Sequence, residues 1–383
     1  MKQTLYLVIN SLNGGGAERV ASRLSEIWSL EYNLKIISLM PFTNNDYFFY
    51  GEKISIYSSY KGLFWLCRIK NAAECIDNMA EVDKPVAIIS FLQNANLCVA
   101  LTSFKTRKIL SIRNFIYKQY SGLKRIMWYY LIRRYFNNAD YIVSVSELIN
   151  SEMINKYKIP HSKCVCIYNP YDIVEIKKRS KEQLSNQEQL FYKNHSVICN
   201  IGHLSIQKGQ FHLIRIIAEL CKTDNRFGLV IVGRDDSLFA NKIKKLAADL
   251  GVSENIYFSG IVDNPYKYVS RSDFFVFSSL YEGFPNALVE AMVCGIPVIS
   301  MDCPSGPREI LGESKFGLLL EYESTSWLES YERISPFETS VVNTIKSLSK
   351  SEKDYSRYAK VSTERVKDFS ISVISNKWKC LLS

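Results

Sequence analysis

Short apolar runs alternate with amphipathic segments along the whole chain. The runs have the length and the β-branched and aromatic content of buried strands. They are residues 5–9, 34–40, 86–91, 109–112, 141–145, 197–201, 228–232, 256–258, 274–277 and 297–301. Helical periodicity lies between them, for example over residues 17–30, 211–221 and 238–250. Apolar strands that alternate with helices predict parallel sheets covered by helices on both faces, an α/β fold.

The strands fall into two groups, and a charged, glutamine-rich stretch separates them. A chain of 383 residues is long for a single core, so two domains of ordinary size are expected. We predict two Rossmann-like domains, residues 1–172 and 195–365, joined by a linker over residues 173–194. Residues 366–383 are predicted to form a C-terminal helix that packs back on the first domain.

Cysteine usage and hydropathy indicate a protein of a reducing compartment without a membrane span. The ten cysteines include no C-x-x-C pair, and they are scattered through apolar runs. We interpret them as buried free thiols. No window has the eighteen or more consecutive apolar residues that a transmembrane helix needs.

The net charge of +10 lies entirely in residues 1–180, because residues 181–383 balance to zero. Residues 84–139 contain ten basic residues, interleaved with aromatic ones, and no acidic residue. This composition suits an anionic bilayer surface, and nucleic acid would also accept it. A solvated basic surface is the simpler alternative. The residues expected at lipid headgroups are Lys124, Arg125, Trp128, Tyr129, Tyr130, Arg133 and Arg134.

Two carboxylates flank a turn that opens a helix in the second half of the chain. Residues 282–292 read E-G-F-P-N-A-L-V-E-A-M, so Glu282 precedes the helix and Glu290 lies within it. Pro285 suits the first helical position, where a missing N–H group costs nothing. The free N–H groups at such a helix start can bind phosphate. Here they would be those of Asn286, Ala287 and Leu288.

This stretch, followed by C-G-I-P-V-I-S, resembles the Glu-x7-Glu signature of retaining glycosyltransferase family 4. The resemblance implies the GT-B fold, in which the parallel sheets of two Rossmann-like domains face a central cleft. It also implies that Glu282 contacts the donor sugar and that Glu290 binds the nucleotide ribose. Phe284 and Pro285 would line the same donor site.

A second motif follows the first strand of the second domain. Residues 202–209 read G-H-L-S-I-Q-K-G and resemble the family's Gly-Arg-Leu-x-x-x-Lys-Gly, whose arginine and lysine hold the donor diphosphate. Lys208 matches that lysine. His203 stands in place of the arginine, so the charge at this position is lost or depends on pH.

Further matches to the family are shorter. Gly233 ends a strand where relatives carry a glycine under the nucleotide, and backbone groups near Val262 would meet the base. Gly15 and Gly16 lie in a glycine-rich loop that would approach the diphosphate. Arg113 and Asn114 resemble members with Arg-Asn on the acceptor side. Residues 302–310 resemble a loop of members that elongate bacterial surface glycans, using UDP-activated hexoses or N-acetylhexosamines and lipid-linked acceptors.

The chain has no Asp-x-Asp triplet of the kind that holds a divalent ion beneath a nucleotide diphosphate. We therefore expect a metal-independent reaction without a cofactor. Lys208, together with the Gly15–Gly16 and 286–288 amides, would stabilise the leaving-group charge. Lys208 and Glu282 are the predicted catalytic residues.

Together these features predict a retaining glycosyltransferase that moves galactose, glucose or one of their N-acetylamino derivatives from UDP to a lipid-linked glycan. It would act in O-antigen, capsule or related polysaccharide synthesis, as a cytoplasmic protein that is peripheral on the inner face of the cytoplasmic membrane. A GDP-mannose transferase of the same family is the alternative. From another class, a basic nucleic-acid-binding protein is disfavoured by the neutral second half. A nicotinamide oxidoreductase would need a third glycine that Gly14–Gly16 lacks.

Overall fold

The computed structural model describes residues 2–57, 65–323 and 334–382, which form two compact units. The first unit comprises Met1–Pro170 together with Ile371–Ser383, and the second comprises Tyr171–Ser370. Each unit is built on one parallel sheet. The two units are described separately below.

The first unit contains a seven-stranded parallel sheet of order β3-β2-β1-β4-β5-β6-β7. The central strands are fully buried because their apolar runs pack against helices on both faces. The strands are β1 Thr4–Ile9, β2 Asn33–Ser38, β3 Glu52–Ser55, β4 Ala87–Phe91, β5 Arg107–Ile112, β6 Tyr141–Ser144 and β7 Cys164–Cys166. The helices that precede the second unit are α1 Gly16–Glu31, α2 Trp65–Asp83, α3 Gln93–Leu101, α4 Ile116–Gln119, α5 Gly122–Tyr135 and α6 Glu147–Asn155.

The second unit contains a six-stranded parallel sheet of order β10-β9-β8-β11-β12-β13. Its strands are β8 Ser196–Ile201, β9 Phe227–Val232, β10 Ile256–Gly260, β11 Phe274–Phe277, β12 Val298–Met301 and β13 Leu318–Leu320. Its helices are α7 Ile173–Arg179, α8 Asn186–Asn194, α9 Gln210–Cys221, α10 Leu238–Asp249, α11 Tyr266–Val269, α12 Asn286–Cys294, α13 Pro307–Leu311, α14 Pro336–Leu348 and α15 Glu352–Arg365.

The last helix, α16 Ile371–Leu382, belongs to the core of the first unit. Trp378 is fully buried there, with its ring edge-on to Trp28 of α1 at 5.6 Å and stacked near Phe91 of β4 at 6.1 Å between centroids. The chain therefore leaves the first unit after Pro170 and returns to it at Ile371.

Residues 173–194 do not form the predicted linker. They form α7 and α8, which are part of the second unit. Asp172 caps α7, and Ser185 and Glu188 form a reciprocal capping box at the start of α8. Both helices are short and carry many charged residues. The composition of the stretch is therefore typical of a linker, and its helix-start residues were not recognised.

Three short strands were missed by the sequence pattern: β3, β7 and β13. Each lies at an edge of its sheet, has three or four residues, and is partly exposed. An edge strand of this length needs no long apolar run, so it produces no clear signal.

The residues that the structure describes contain neither a membrane-spanning helix nor a disulfide. Within residues 2–57, 65–323 and 334–382, no helix is both long and apolar enough to cross a bilayer. None of the ten cysteines is in a disulfide. Cys67 and Cys380 are exposed, so the prediction that all the thiols are buried is wrong for these two.

Candidate functional site

The motifs of the second half meet at the point where the strand order of the second sheet reverses. The chain runs outward from β8 to β9 and β10 on one side and from β11 to β12 and β13 on the other. Ligands of open parallel sheets bind outside the carboxyl ends of the strands at such a switch point. Here the loops that follow β8 and β11, residues 202–209 and 278–285, lie side by side.

Three hydrogen bonds join these two loops. The Leu280 N–H donates to the Gln207 carbonyl at 2.8 Å, and the Ser278 hydroxyl donates to the Lys208 carbonyl at 2.9 Å. The Gln207 side-chain amide donates to the Tyr281 carbonyl at 3.0 Å. The backbone around Lys208 is thereby held against the strand end that leads to Glu282.

Gly209 makes this close approach possible. Its φ is +62°, in the left-handed region that favours glycine. A Cβ atom at this position would also overlap the Ser278 carbonyl oxygen. Any larger residue would therefore push the loop carrying Lys208 away from β11.

Lys208 and Glu282 form an ion pair, with the Nζ and Oε1 atoms 2.6 Å apart. Both side chains are largely shielded from water, with 19% and 12% of their surface exposed. A charge-assisted hydrogen bond in such surroundings is stronger than one in open solvent. The structure thus brings the two predicted catalytic residues into direct contact.

Residues 302–306 support the loop that carries Glu282. The Ser305 hydroxyl donates to the Gly283 carbonyl at 2.6 Å, and the Glu282 N–H points to the Pro304 carbonyl at 3.4 Å. Gly306 has a φ of +101°, and a Cβ atom there would overlap the Pro285 ring. Cys303 is buried in this loop, and its burial raises the pKa of its thiol. Gly306 therefore packs directly against the loop that carries Glu282.

The helix α12 begins at Asn286, one residue later than predicted. Pro285 is its N-cap residue rather than its first helical residue. The Leu288 N–H donates to the Pro285 carbonyl at 3.1 Å, so it is not one of the free donors that the motif predicted. The Asn286 side chain accepts a hydrogen bond from the buried Tyr171 hydroxyl at 2.6 Å.

Two further residues of this motif, Phe284 and Glu290, are buried. Phe284 is buried, with its ring edge-on to Phe369 at 5.7 Å, so it packs the loop rather than lining an open surface. Ala287 is partly exposed in the first turn of α12. Glu290 is only 1% exposed and accepts a hydrogen bond from the Tyr266 hydroxyl at 3.3 Å. Tyr266, which lies in the short helix α11, was not predicted because nothing in the sequence connects it to Glu290.

His203 lies beside the Lys208–Glu282 pair. Partial burial of its ring and the positive charge of Lys208 lower the pKa of its imidazole, although Glu282 opposes them. The imidazole is therefore neutral at pH 7, because its ordinary pKa is already near 6.5. A neutral His203 can still donate a hydrogen bond, but it does not replace the fixed charge of an arginine.

The remaining donor-site candidates of the second unit flank the end of β9. The Gly233 N–H donates to the Gly260 carbonyl at 3.1 Å. Val262 is partly exposed, and its neighbour Ile261 is exposed. The Gly233 loop also carries Asp235, which pairs with Lys244 at 2.7 Å. Within residues 2–57, 65–323 and 334–382, no three His, Cys, Asp or Glu side chains are arranged to hold a metal ion.

In the first unit, an internal carboxylate occupies the predicted anion site at the start of α1. The Gly15 N–H donates to Glu18 Oε2 at 3.0 Å, so this amide is not free for a diphosphate. Glu18 is buried, and burial raises the pKa of its carboxyl group. Gly16 is the first residue of α1 and is exposed. The glycine-rich loop alone did not indicate that Glu18 would fill this position.

Arg113 is buried rather than available to an acceptor. Its guanidinium lies over the Phe91 ring at 4.7 Å and donates to Asn169 Oδ1 at 2.7 Å. It also approaches the Trp378 ring of α16 at 5.8 Å. The acceptor role predicted for Arg113 is therefore corrected to a structural one. Asn114, the next residue, is partly exposed.

The residues of α5 that were predicted to meet lipid headgroups differ in exposure: Tyr130 is exposed and Tyr129 is partly exposed. Trp128 is only 2% exposed and stacks on Tyr120 at 5.7 Å between centroids, so its prediction as a headgroup anchor is wrong. Four residues, of which Tyr130 alone was predicted, form an exposed apolar stripe with helical spacing, because α5 packs on the unit through its opposite side. The stripe consists of Leu123, Ile126, Met127 and Tyr130.

The cations of α5 divide into two groups. Lys124, Arg133 and Arg134 are exposed beside the stripe. Arg125 is half-buried: its guanidinium donates to the Tyr120 carbonyl at 2.8 Å and lies over the Tyr117 ring. Arg125 therefore supports local structure, and three of the four predicted cations remain on the surface.

A buried charged cluster beneath the loop 202–209 was not predicted. His212 and Glu338 are both fully buried, with Nδ1 and Oε1 2.8 Å apart. Arg215 approaches the same carboxylate oxygen at 3.6 Å, and the Ser335 N–H donates to the other at 2.9 Å. The cluster ties α14 to α9, the helix that begins immediately after Gly209. Residues this distant in sequence give no local signal of their pairing.

Glu338→Ala should lower the free energy of unfolding by about 3 kcal/mol, because it leaves buried donors without their acceptor. Urea denaturation followed by circular dichroism measures this change. Glu364→Ala, at an exposed position of α15, is the matched control and should change stability by less than about 0.5 kcal/mol. Equal stability of the two variants would contradict the structural role of the cluster.

Comparison with known proteins gives consistent matches. Residues 181–360 match the family model described as glycosyl transferases group 1. An uncharacterised glycosyltransferase of Methanocaldococcus jannaschii is 29% identical over 86% of this chain and 88% of its own length. The N-acetylgalactosamine-N,N'-diacetylbacillosaminyl-diphospho-undecaprenol 4-alpha-N-acetylgalactosaminyltransferase of Campylobacter jejuni is 27% identical over 84% of this chain and 87% of its own.

Among solved structures, Anabaena HepE in complex with UDP has a TM-score of 0.79 to this chain. The alignment covers 100% of this chain and 99% of HepE, at 17% sequence identity. At this identity the likeness concerns the fold alone. The prediction of two Rossmann-like α/β domains is confirmed.

Proposed function

We propose, from the match of residues 181–360 to the family model of glycosyl transferases group 1 and from the GT-B fold, that this chain is a retaining glycosyltransferase that uses a UDP-sugar. It transfers a hexose or N-acetylhexosamine to a lipid-linked glycan in the assembly of a bacterial surface polysaccharide. The observation that carries this proposal is the Lys208–Glu282 pair at the switch point of the second sheet. The UDP complex of HepE supports the choice of nucleotide, and the Campylobacter relative supports an isoprenyl diphosphate as the lipid.

In the proposed reaction, the bond from the sugar C1 to the diphosphate oxygen breaks while a bond to the acceptor hydroxyl oxygen forms on the same face. The acceptor proton passes to the departing phosphate oxygen, so no protein nucleophile is needed. Lys208 stabilises the negative charge that develops on the diphosphate. Glu282 accepts hydrogen bonds from the sugar hydroxyls and fixes the position of C1.

We further propose that the reaction needs no divalent metal, because Lys208 and the amides at the start of α12 supply the positive potential. Activity should be unchanged in excess EDTA. Complete inhibition by EDTA that is reversed by Mg²⁺ or Mn²⁺ would contradict this part of the proposal.

A thermal-shift panel tests the donor class. UDP-galactose, UDP-glucose and their N-acetylamino analogues are compared with GDP-mannose, UDP and GDP. A ligand at 100 times its dissociation constant stabilises the protein by about 2.7 kcal/mol. We expect stabilisation by UDP and one UDP-sugar, followed by transfer with retained anomeric configuration, measured by NMR of the product. Stabilisation by GDP-mannose alone would replace this proposal with the mannosyltransferase alternative.

Glu290→Ala should weaken the binding of free UDP at least about ten-fold, because a ribose would lose charge-assisted hydrogen bonds. Isothermal titration calorimetry measures this affinity. Tyr266→Phe is the matched control: it removes the hydroxyl that contacts Glu290 and keeps the carboxylate. A carboxylate that serves only Tyr266 would leave UDP affinity unchanged in both variants and change only stability.

We also propose that the first unit docks on an anionic membrane through α5. The exposed stripe Leu123, Ile126, Met127 and Tyr130 would enter the headgroup region. Lys124, Arg133 and Arg134 lie beside it and would contact lipid phosphates, each contributing about 1 kcal/mol. This places the enzyme next to a lipid-linked acceptor.

Replacing Lys124, Arg133 and Arg134 together with serine should release the protein from anionic liposomes, in a sedimentation assay at physiological salt. A triple variant with the same change of charge at the exposed Lys242, Lys350 and Lys353 of the second unit is the control. Wild-type binding should weaken as salt rises, because the contact is screened. Equal loss in both triple variants would indicate non-specific attraction by net charge.

A further inference from the structure

A cavity of about 650 Å³ opens beside α5 on the first unit. Its volume lies within the range of small-molecule sites. Residues from the start of α2 and from α5 and the turn before it form its walls. They are Trp65, Tyr120, Leu123, Lys124, Met127 and Trp128.

The cavity is lined by stacked aromatic rings and is continuous with the exposed stripe of α5. Trp128 is almost fully buried, stacks on Tyr120, and has its ring edge-on to Trp65 at 5.5 Å. Leu123 and Met127 belong both to the cavity and to the stripe. A molecule that leaves the headgroup region along α5 would therefore meet this cavity first.

The chemistry of the lining favours an apolar occupant with one negative end. Among the described residues of the lining, Lys124 is the charged side chain and Asn94 the amide, and the others are aliphatic or aromatic. The Lys124 ammonium, 4.8 Å from the centroid of the Tyr120 ring, supplies a cation at the same place. None of the described residues that line the cavity is acidic.

We propose that this cavity binds the isoprene units nearest the diphosphate of the lipid-linked acceptor, with Lys124 beside the diphosphate, an inference that rests on the proposed function. Burial of the branched chain against the aromatic rings stabilises the complex. The cavity thereby selects an isoprenyl diphosphate and holds its glycan at a fixed distance from α5.

Farnesyl diphosphate below its micelle concentration is a soluble probe of this cavity. Its binding is measured by calorimetry in saturating UDP, so that its diphosphate cannot occupy the proposed donor site. Wild type should bind it saturably, and inorganic pyrophosphate should not compete. Met127→Glu should weaken binding roughly ten-fold or more, because a carboxylate enters an apolar wall and repels the diphosphate.

Two further variants guard against misfolding. Leu123→Glu changes a residue that is 85% exposed, so the fold should tolerate it, and it should weaken binding in the same way. Leu238→Glu, equally exposed on the second unit, is the matched control and should bind like wild type. Melting temperatures of all variants are compared by circular dichroism.

Unchanged affinity for farnesyl diphosphate in Met127→Glu and Leu123→Glu would overturn the inference. Displacement of the probe by millimolar galactose would also overturn it, in favour of a sugar site. The proposed function fails separately, because failure of every nucleotide sugar to stabilise the protein would leave farnesyl diphosphate binding intact.

Discussion

Lys208→Met should lower kcat about 10²–10³-fold, which corresponds to a loss of 2.7–4 kcal/mol of transition-state stabilisation. Methionine keeps the approximate length of the side chain and removes its charge. The diphosphate gains negative charge as the glycosidic bond breaks, and Lys208 is the cation nearest Glu282 that the structure provides. Initial rates at saturating donor measure the effect.

The loss of the ion pair complicates this variant, because Glu282 is left largely buried without its partner. Lys208→Arg keeps a cation in place and should retain more activity than Lys208→Met, although its guanidinium has a different shape. Lys242→Met, at an exposed position of α10, is the control and should have wild-type kcat. Wild-type kcat in Lys208→Met would exclude this lysine from the chemistry.

The buried strands could be predicted from the sequence because each one is a continuous run of apolar residues. The apolar runs at 5–9 and 274–277 correspond to β1 and β11, which are buried on both faces. Edge strands need no long apolar run, so β3 and β13 are missing from the prediction. Helix α8 was missed for a different reason. Its capping box is a local helix-start signal, but the polar composition of the segment favoured a linker.

The sequence predicts which loops form the candidate site, but it does not predict which side chains contact the site residues. The motifs place Lys208 and Glu282 on loops after β8 and β11, and the switch point brings such loops together. The contacts that change the predicted roles of other site residues come from side chains that the motifs do not include. Glu18 occupies the start of α1, Tyr266 contacts Glu290, and Trp128 turns inward to Tyr120. Side-chain direction and pairing depend on packing, which no motif encodes.

Glu282→Gln should lower kcat about 10–100-fold and at the same time bind free UDP more tightly. The fall in kcat follows from the loss of a charge-assisted hydrogen bond to the sugar, about 1.5–3 kcal/mol. The gain in affinity has a different cause. In the free protein Glu282 holds the Lys208 ammonium at 2.6 Å, so a diphosphate must compete with it. Glutamine releases the lysine and should lower the Kd of UDP roughly five-fold, about 1 kcal/mol.

The double variant Lys208→Met/Glu282→Gln separates competition from direct contact. If Glu282 weakens UDP binding only through Lys208, its replacement has no effect on Kd once the lysine is gone. The two substitutions are then non-additive in UDP affinity, as expected for residues in contact. An equal gain in affinity with and without Lys208 would mean that Glu282 repels the diphosphate directly. Unchanged UDP affinity in Glu282→Gln would show that the ion pair opens at no cost, and that Lys208 is equally available to the donor in both proteins.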